Sequence, residues 1–408
     1  MLDPALEADG LGPTAFSEAL AGDWAAHRGE IAGQLAGASV LVVGAAGTIG
    51  AAAVRQLLEL GPHAPGPRRL ELVDLDENGL ARLARDLRSR GLGAGAEIGF
   101  NALDFAGWPG LALAEAAGPF DLVLNFAAVK HVRSEKNRFT LLHMIDVNVV
   151  RQRRFARCLA AKRLARRHFV VSTDKAADPA SFMGATKLLL EAVAFAAAEG
   201  REAPIASAAR FANVAYSSGS LLESYVQRFE AGQALAAPKD TRRYFIAARD
   251  AARICLLAQL ACAGGRVAIP KFEPVSGAVE MADTAAAFLK SRGKTAVFVE
   301  DPAGALALAA RGGQAWPVLL TARDTAGEKA VEVFQGRGER VEPLNLAALE
   351  ALAPAPIDPQ ALEAAVDALA ELVDGRRQGD AASIERVIGG VLPGFAHVGA
   401  EARLDDRI

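Results

Sequence analysis

The sequence predicts an α/β protein built on a doubly wound parallel sheet, with a smaller α/β substrate-binding part and helical extensions at both ends. Three observations carry this. From residue 38 onward, short apolar runs alternate with helical periodicity. The first run, Ser39–Val43, passes directly into a glycine-spaced loop, GAAGTIG. The second, Leu70–Val73, ends in an acid, Asp74, that lies 24 residues after Gly50.

Composition bounds the function. The chain has 408 residues, of which 51% are hydrophobic and 23% charged, as expected of a globular protein with two or three packed units. A net charge of -3 gives no electrostatic footprint for nucleic acid. The basic run Arg151–Arg167 reads as one solvated helix face. Cys158, Cys255 and Cys262 are scattered and odd in number, so they are expected as small core residues in a reducing compartment, with no disulfide and no metal set. No apolar run reaches the roughly 18 residues of a membrane span. The start, MLDPALEADG, lacks the form of a signal peptide. A cytoplasmic protein without a transmembrane segment is expected, and no internal repeat is visible.

The elements follow in order. Residues 1–36 read as a helical extension packed on the body. The dinucleotide-binding domain spans 37–205. Its first strand, Ser39–Val43, leads through Gly44, Gly47, Thr48, Ile49 and Gly50 into a helix running to Leu60. A loop of this spacing lets the backbone approach a pyrophosphate, with the helix N-terminus facing its charge. Asp74 is placed to hold the ribose hydroxyls of a Rossmann cofactor; a helix N-cap is its alternative. An acid there favours NAD over NADP, although Arg82 or Arg85 leaves NADP open. A third strand over Ile98–Asp104 places Asp104 near the adenine. A fourth, Asp121–Ala128, closes in the small residues Ala127 and Ala128, which leave room for a cofactor. Lys130 and His131 follow in a loop, with His131 balanced between a structural and a binding role, and Asn148 falls in a long helix.

The fifth strand, Phe169–Val171, opens onto STDKAADPASFMGATK, residues 172–187. Asp178, Pro179 and Gly184 punctuate a turn, and helical pattern runs from there to Glu191. Thr173, Asp174, Lys175 and Lys187 meet at a strand end, where an α/β sheet places its chemistry; an Asp174–Lys175 pair capping a turn is the plain alternative. A second, interleaved part, 206–345, begins with a sixth strand over Ala208–Val214. Asn213, Ser218, Ser220 and Arg243 form a polar set that offers bidentate donors to a diphosphate or nucleotide. Val267–Lys271 and Val297–Val299 suggest short strands of this smaller unit, and Thr325–Lys329 a turn. The region 346–408 reads as a helical tail, with helices over Asp358–Val373 and Ala382–Val391.

Taken together, VVGAAGTIG, NFAAVKHV, STDKAADPASFMGATK, RFANV with SSGS, TRRYF and TAGEK resemble the extended short-chain dehydrogenase/reductases. Within them the chain is similar to the bacterial 4,6-dehydratases of UDP-N-acetylglucosamine that serve polysaccharide and glycan biosynthesis. The motifs run in family order from about 40 to 330, and IERVIGGVLPGF resembles the tail of the long, membrane-anchored members. The resemblance implies a stand-alone catalytic unit, a tightly bound NAD or NADP, a UDP-sugar substrate and a homo-oligomer. It implies that Thr173, Asp174 and Lys175 are catalytic, that Lys187 orients the nicotinamide ribose, and that Asn213, Ser220 and Arg243 contact UDP. The chain departs from the family pattern at Arg133-Ser134, Asn137-Arg138 and Thr325-Ala326, positions that bear on the sugar more than on the reaction type.

The reaction so implied is internal hydride transfer from sugar C4 to C6 with loss of water. Lys175 is the expected base at C5, kept partly neutral by burial and by the neighbouring Lys187. Asp174 is the expected acid for the C6 hydroxyl, in an apolar cleft. Four residues before the lysine, most of the superfamily carries a tyrosine, whereas here stands Met183, which cannot exchange a proton. The dehydratase branch includes members with methionine in this place. A UDP-sugar 4-epimerase of the same fold, or a nicotinamide-binding regulator without turnover, remain the alternatives.

Overall fold

The computed structural model describes residue 9 and residues 11–60, 66–200, 202–271, 277–322 and 332–397. The expected turn at Thr325–Lys329 lies outside the described residues.

Helix α1 (Ala15–Leu35) starts on a capping box between Thr14 and Ser17 and buries Phe16, Leu20, Trp24, Ile31 and Leu35. It packs on the body, as expected. Asp23 ties it to the far end of the chain, accepting from the backbone N–H groups of Ala347 (2.8 Å) and Ala348 (2.7 Å).

The alternation then unfolds as β1 (Ser39–Val43), α2 (Thr48–Leu58), β2 (Arg69–Asp74), α3 (Glu77–Ser89), β3 (Glu97–Ala102), α4 (Trp108–Ala117) and β4 (Phe120–Asn125). Helix α2 stops at Leu58 rather than Leu60, where the N–H of Glu59 bonds back to Arg55. After a 3-10 turn at Val132–Lys136 come α5 (Arg138–Ile145), a π segment (Asp146–Val150), α6 (Arg151–Ala161) and β5 (Ala165–Val171). The long helix expected around Asn148 is therefore interrupted at that residue. Nor is Arg151–Arg167 one solvated face. It crosses from α6 into β5, and Arg153 and Arg157 pair with Glu363 while Arg153 also meets Asp367.

A 3-10 turn (Asp174–Ala176) leads to α7 (Phe182–Ala196) and β6 (Ile205–Ala209). The sixth strand expected over Ala208–Val214 is split. β6 ends at Ala209, Arg210 turns into the interior, and Asn213–Val214 pairs with Phe245–Ile246 instead. Next come α8 (Leu221–Glu230), α9 (Ala248–Ala261), β7 (Arg266–Pro270), α10 (Met281–Ser291), α11 (Pro302–Arg311), β8 (Arg340–Glu342), β9 (Leu349–Ala353), α12 (Pro359–Val373) and α13 (Ala381–Val391).

The central sheet has the order β8-β9-β7-β6-β5-β4-β1-β2-β3. From β7 through β3 all neighbours are parallel, and β9 and β8 add antiparallel at one edge. Chain order reverses between β1 and β4, which opens a crevice beyond their C-terminal ends. The doubly wound α/β fold is the observed one. Two expectations change. Val267–Lys271 contributes β7 to the central sheet, with Val267 opposite Ala208, instead of to the smaller unit. The tail is not purely helical, because Leu349–Ala353 pairs with β7. The smaller unit keeps a three-stranded parallel sheet (Leu235–Pro238, Ala315–Thr321 and Thr295–Val299) over its own core of Leu222, Tyr225, Leu235, Phe288 and Val318. Among the described residues, no helix is long and apolar enough to cross a membrane.

Candidate active site

The crevice at the β1–β4 switch is a cavity of about 450 Å³. One wall is the glycine loop. Gly44 has φ +75°, and a Cβ there would sit 2.9 Å from the backbone of Phe126 and Ala127. A Cβ on Gly50 would sit 2.1 Å from the carbonyl oxygen of Gly44. These glycines let β1, the loop and α2 close tightly, so that the N-terminus of α2 opens on the cavity. Asp74 accepts from the N–H of Ala46 at 2.9 Å and so braces the loop from behind. The cap of α3 is Asp76, which accepts from Gly79, so the N-cap alternative for Asp74 falls away.

Gly44, Gly47, Thr48, Ile49 and Gly50 line the cavity together with Ala128, Lys130, His131, Thr173, Asp174, Lys175, Met183, Lys187, Asn213, Ser218, Ser220 and Arg243. Asp74, Asp104 and Ala127 do not. Asp104 lies beyond the end of β3, where its carboxylate meets Arg151 and accepts from the N–H of Ala106. That carboxylate is thus held by an ion pair. Ala127 is used through its backbone: its N–H donates to Asn125 and its carbonyl accepts from Gln152.

The floor is made by the end of β5 and the start of α7. The helix begins at Phe182, capped by Ser181, so Gly184 sits inside its first turn and not in a loop. Gly184 is required there because a Cβ would meet the carbonyl oxygen of Lys175 at 2.3 Å. This close approach brings Lys175 against the helix that carries Met183 and Lys187. Thr173 Oγ1 donates to Asp174 at 2.7 Å, and Lys175 Nζ donates to the same carboxylate at 3.2 Å. Lys187 is buried, with Nζ donating to Val171 O at 2.5 Å. Burial pushes its pKa down to about 8, an effect the Glu191 carboxylate opposes. The deep burial expected of Lys175 therefore belongs to Lys187. Lys175 keeps 31% of its side chain exposed.

The opposite wall comes from the smaller unit. Ser218 N–H reaches Thr48 Oγ1 at 3.3 Å, joining the two walls. His131 packs under Gly219, where a Cβ would sit 2.4 Å from the imidazole. Lys130 Nζ donates to Ser217 at 3.2 Å. The Ser220 hydroxyl caps α8, accepting from the N–H of Glu223, so it serves the helix first.

Three residues were missed by sequence reasoning. Glu332 is buried and accepts from Asn213 Nδ2 (3.0 Å) and the N–H of Tyr244 (3.3 Å), holding Asn213 toward the cavity; burial pushes its carboxyl up. Glu135 accepts from the N–H of Met183 at 2.8 Å. Asn148, on the π segment, bonds both backbone groups of Val129 and also Thr186 of α7. Only Asn148 had a signal, its place after the fourth strand; the acids sit in no motif.

Comparison with known proteins agrees with this architecture. The chain is 29% identical over 241 residues to an uncharacterized membrane protein of Methanocaldococcus jannaschii, covering 58% of this chain and 67% of the relative. It is 26% identical over 245 residues to the capsular polysaccharide biosynthesis protein CapD of Staphylococcus aureus, covering 58% of this chain but only 38% of CapD. Pen from Bacillus thuringiensis superposes with a TM-score of 0.62 at 18% identity, over 79% of this chain and 89% of that one. DesIV, a dTDP-glucose 4,6-dehydratase from Streptomyces venezuelae solved with NAD bound, gives 0.53 at 19% identity, over 70% and 88%. At these identities the superpositions speak to the fold. The family profile described as polysaccharide biosynthesis protein matches residues 40–333, from the first strand through both walls of the cavity. This chain accordingly belongs to the polysaccharide biosynthesis protein family.

Proposed function

We propose that the protein is a nicotinamide-dependent nucleotide-sugar 4,6-dehydratase of polysaccharide biosynthesis, acting on UDP-N-acetylglucosamine. The observation that carries this reading is the single cavity that joins Thr173, Asp174, Lys175 and Lys187 to a glycine-walled dinucleotide cradle, with Met183 where a reductase would need a tyrosine. The relatives support polysaccharide chemistry, and DesIV supports this type of reaction on this fold. The cradle fits the cofactor: Gly44 and Gly50 bring the backbone close, the N-terminus of α2 faces inward, and the Asp74 carboxylate at the end of β2 steadies the loop through the N–H of Ala46. That carboxylate favours NAD over its 2′-phosphorylated form. Gly44 to Gly50 would hold the pyrophosphate, and Lys187 the nicotinamide ribose. The cofactor, when bound, supplies a hydride acceptor that is restored within each cycle.

The chain's own residues do the proton work. Lys175 takes the C5 proton and gives it back to C5 at the end of the cycle. Asp174 receives the 4-hydroxyl proton through Thr173 and passes it to the C6 hydroxyl, which leaves as water, so the pair, 3.2 Å apart, ends as it began. Thr173, bonded to Asp174 at 2.7 Å, fixes the carboxylate and stands ready to relay the 4-hydroxyl proton. Asn213, Arg243, Ser218, Ser220, Lys130 and His131 line the side on which a UDP moiety would lie.

The test is incubation with UDP-N-acetylglucosamine followed by mass spectrometry. Loss of 18 mass units, about one water, is expected; an unchanged mass with a new sugar isomer would make the enzyme a 4-epimerase. No conversion of any UDP-, dTDP- or GDP-sugar would leave a cofactor-binding regulator.

A further inference from the structure

A buried ion cluster is costly unless its charges are met, and the deepest one here lies directly behind the cavity floor. Arg210 is fully buried. Its guanidinium donates to Glu191 from Nε (2.8 Å) and Nη2 (2.7 Å), to Glu339 from Nη1 and Nη2 (both 2.7 Å), and to the carbonyl of Phe334 (2.9 Å). Ser172 Oγ also donates to Glu191. Burial works against the guanidinium charge, but the two carboxylates more than offset it. Two carboxylates facing one cation leave an excess negative charge among buried side chains.

Lys187 supplies the missing positive charge. It lies one turn before Glu191 on α7, and its ammonium donates to Val171, the neighbour of Ser172. The other charged groups facing it across the cavity are Asp174 and Lys175 on the 3-10 turn, which are paired with each other. The π segment packed against α7 offers Asn148 to Thr186, a neutral contact. Glu135 also reaches α7, accepting from the N–H of Met183, and is paired with His397; of the triad it is Glu191 that acts directly on Lys187. None of the triad's three members lines the cavity, so none competes for a role in touching substrate.

We propose that Glu191, Arg210 and Glu339 are positioning residues for the active site: they lock α7 to the end of β5 and supply the negative field that keeps the buried Lys187 ammonium charged at the cavity floor. This rests on the reading of Lys187 as a functional group of that cavity.

The test is a titration of the intact chain with lysine labelled at 13Cε, read by NMR, with Lys187→Arg identifying the signal. Glu191→Gln is expected to move the Lys187 midpoint down by about one pH unit. Glu339→Gln should move it the same way by less. Adding Arg210→Gln to Glu191→Gln should bring the midpoint back toward the wild-type value, because it leaves Glu339 unneutralised and restores the net negative charge. Loss of packing alone gives no such recovery. Unmoved midpoints in both single variants, or a double variant further from wild type than Glu191→Gln, overturn the proposal. If the double variant fails to fold by circular dichroism, the ordering of the two single variants decides it. The titration requires no turnover. Nicotinamide dinucleotide binding by Lys187→Met tests the reading of the cavity separately, so either idea can fail alone.

Discussion

The two sides of the cavity are built differently. The glycine-loop side is made of backbone: Gly44 and Gly50 let main chain touch main chain, and the shape exists before any side chain is chosen. The floor and the opposite side, from Thr173 to Arg243, are made of side chains held by other side chains. Asn213 is held by Glu332, and Thr173 and Lys175 are held by Asp174. A backbone wall presents a generic cradle for a dinucleotide. A side-chain wall can be altered one residue at a time, which is where substrate and reaction type are set.

That contrast can be broken most sharply at the floor. Asp174→Asn should lower turnover at least ~100-fold while leaving nicotinamide dinucleotide bound, as read by steady-state rates and by the cofactor recovered from the purified protein. Met183→Leu should cost only a few-fold, since a thioether moves no proton; equal damage from the two would sink the assignment. Next in size is the glycine wall. Gly50→Ala forces a Cβ onto the Gly44 carbonyl, and calorimetry should show nicotinamide dinucleotide binding weakened at least ~10-fold, about 1.4 kcal/mol, with UDP binding nearly retained. Arg243→Met should do the reverse, raising KM for the nucleotide sugar about tenfold while kcat falls less.

A smaller effect separates function from stability at Lys187. Its folded pKa of about 8 lies below the ~10.4 of an unfolded lysine. Between those values the unfolded chain binds more protons, so this group's contribution to stability rises with pH. Relative to Lys187→Met, wild type should therefore gain a few degrees of melting temperature as pH climbs from 7 toward 10. A relative loss over that range would contradict the burial argument. Smallest is Ser220→Ala, which removes the α8 cap and should cost about 1 kcal/mol of stability, visible in a thermal melt with little change in cofactor binding.

Legibility followed the same division. The strands around Gly44 and Asp74, and the helices at Leu221–Glu230 and Pro359–Val373, could be read because their signals are local: periodicity, a cap such as Asp358, a glycine where the chain must turn. Met183 and Lys187 could be paired because one helix carries both. Other readings failed where distant chain intervened. Arg153 and Arg157 of the basic run meet carboxylates of α12, more than 200 positions later in the chain. The apolar run Ala208–Val214 breaks at Arg210, because Glu339, 129 residues away, draws that side chain inward.

The sequence by itself determined the doubly wound fold, the dinucleotide cradle and the cluster around Asp174, because each depends on residues within a few turns of one another. Tertiary structure alone decided which lysine is buried, what holds Asn213, and how the charge behind the floor is balanced. Those outcomes depend on which carboxylates the fold carries out of water, and Glu332 and Glu339 arrive at the site from the far end of the chain.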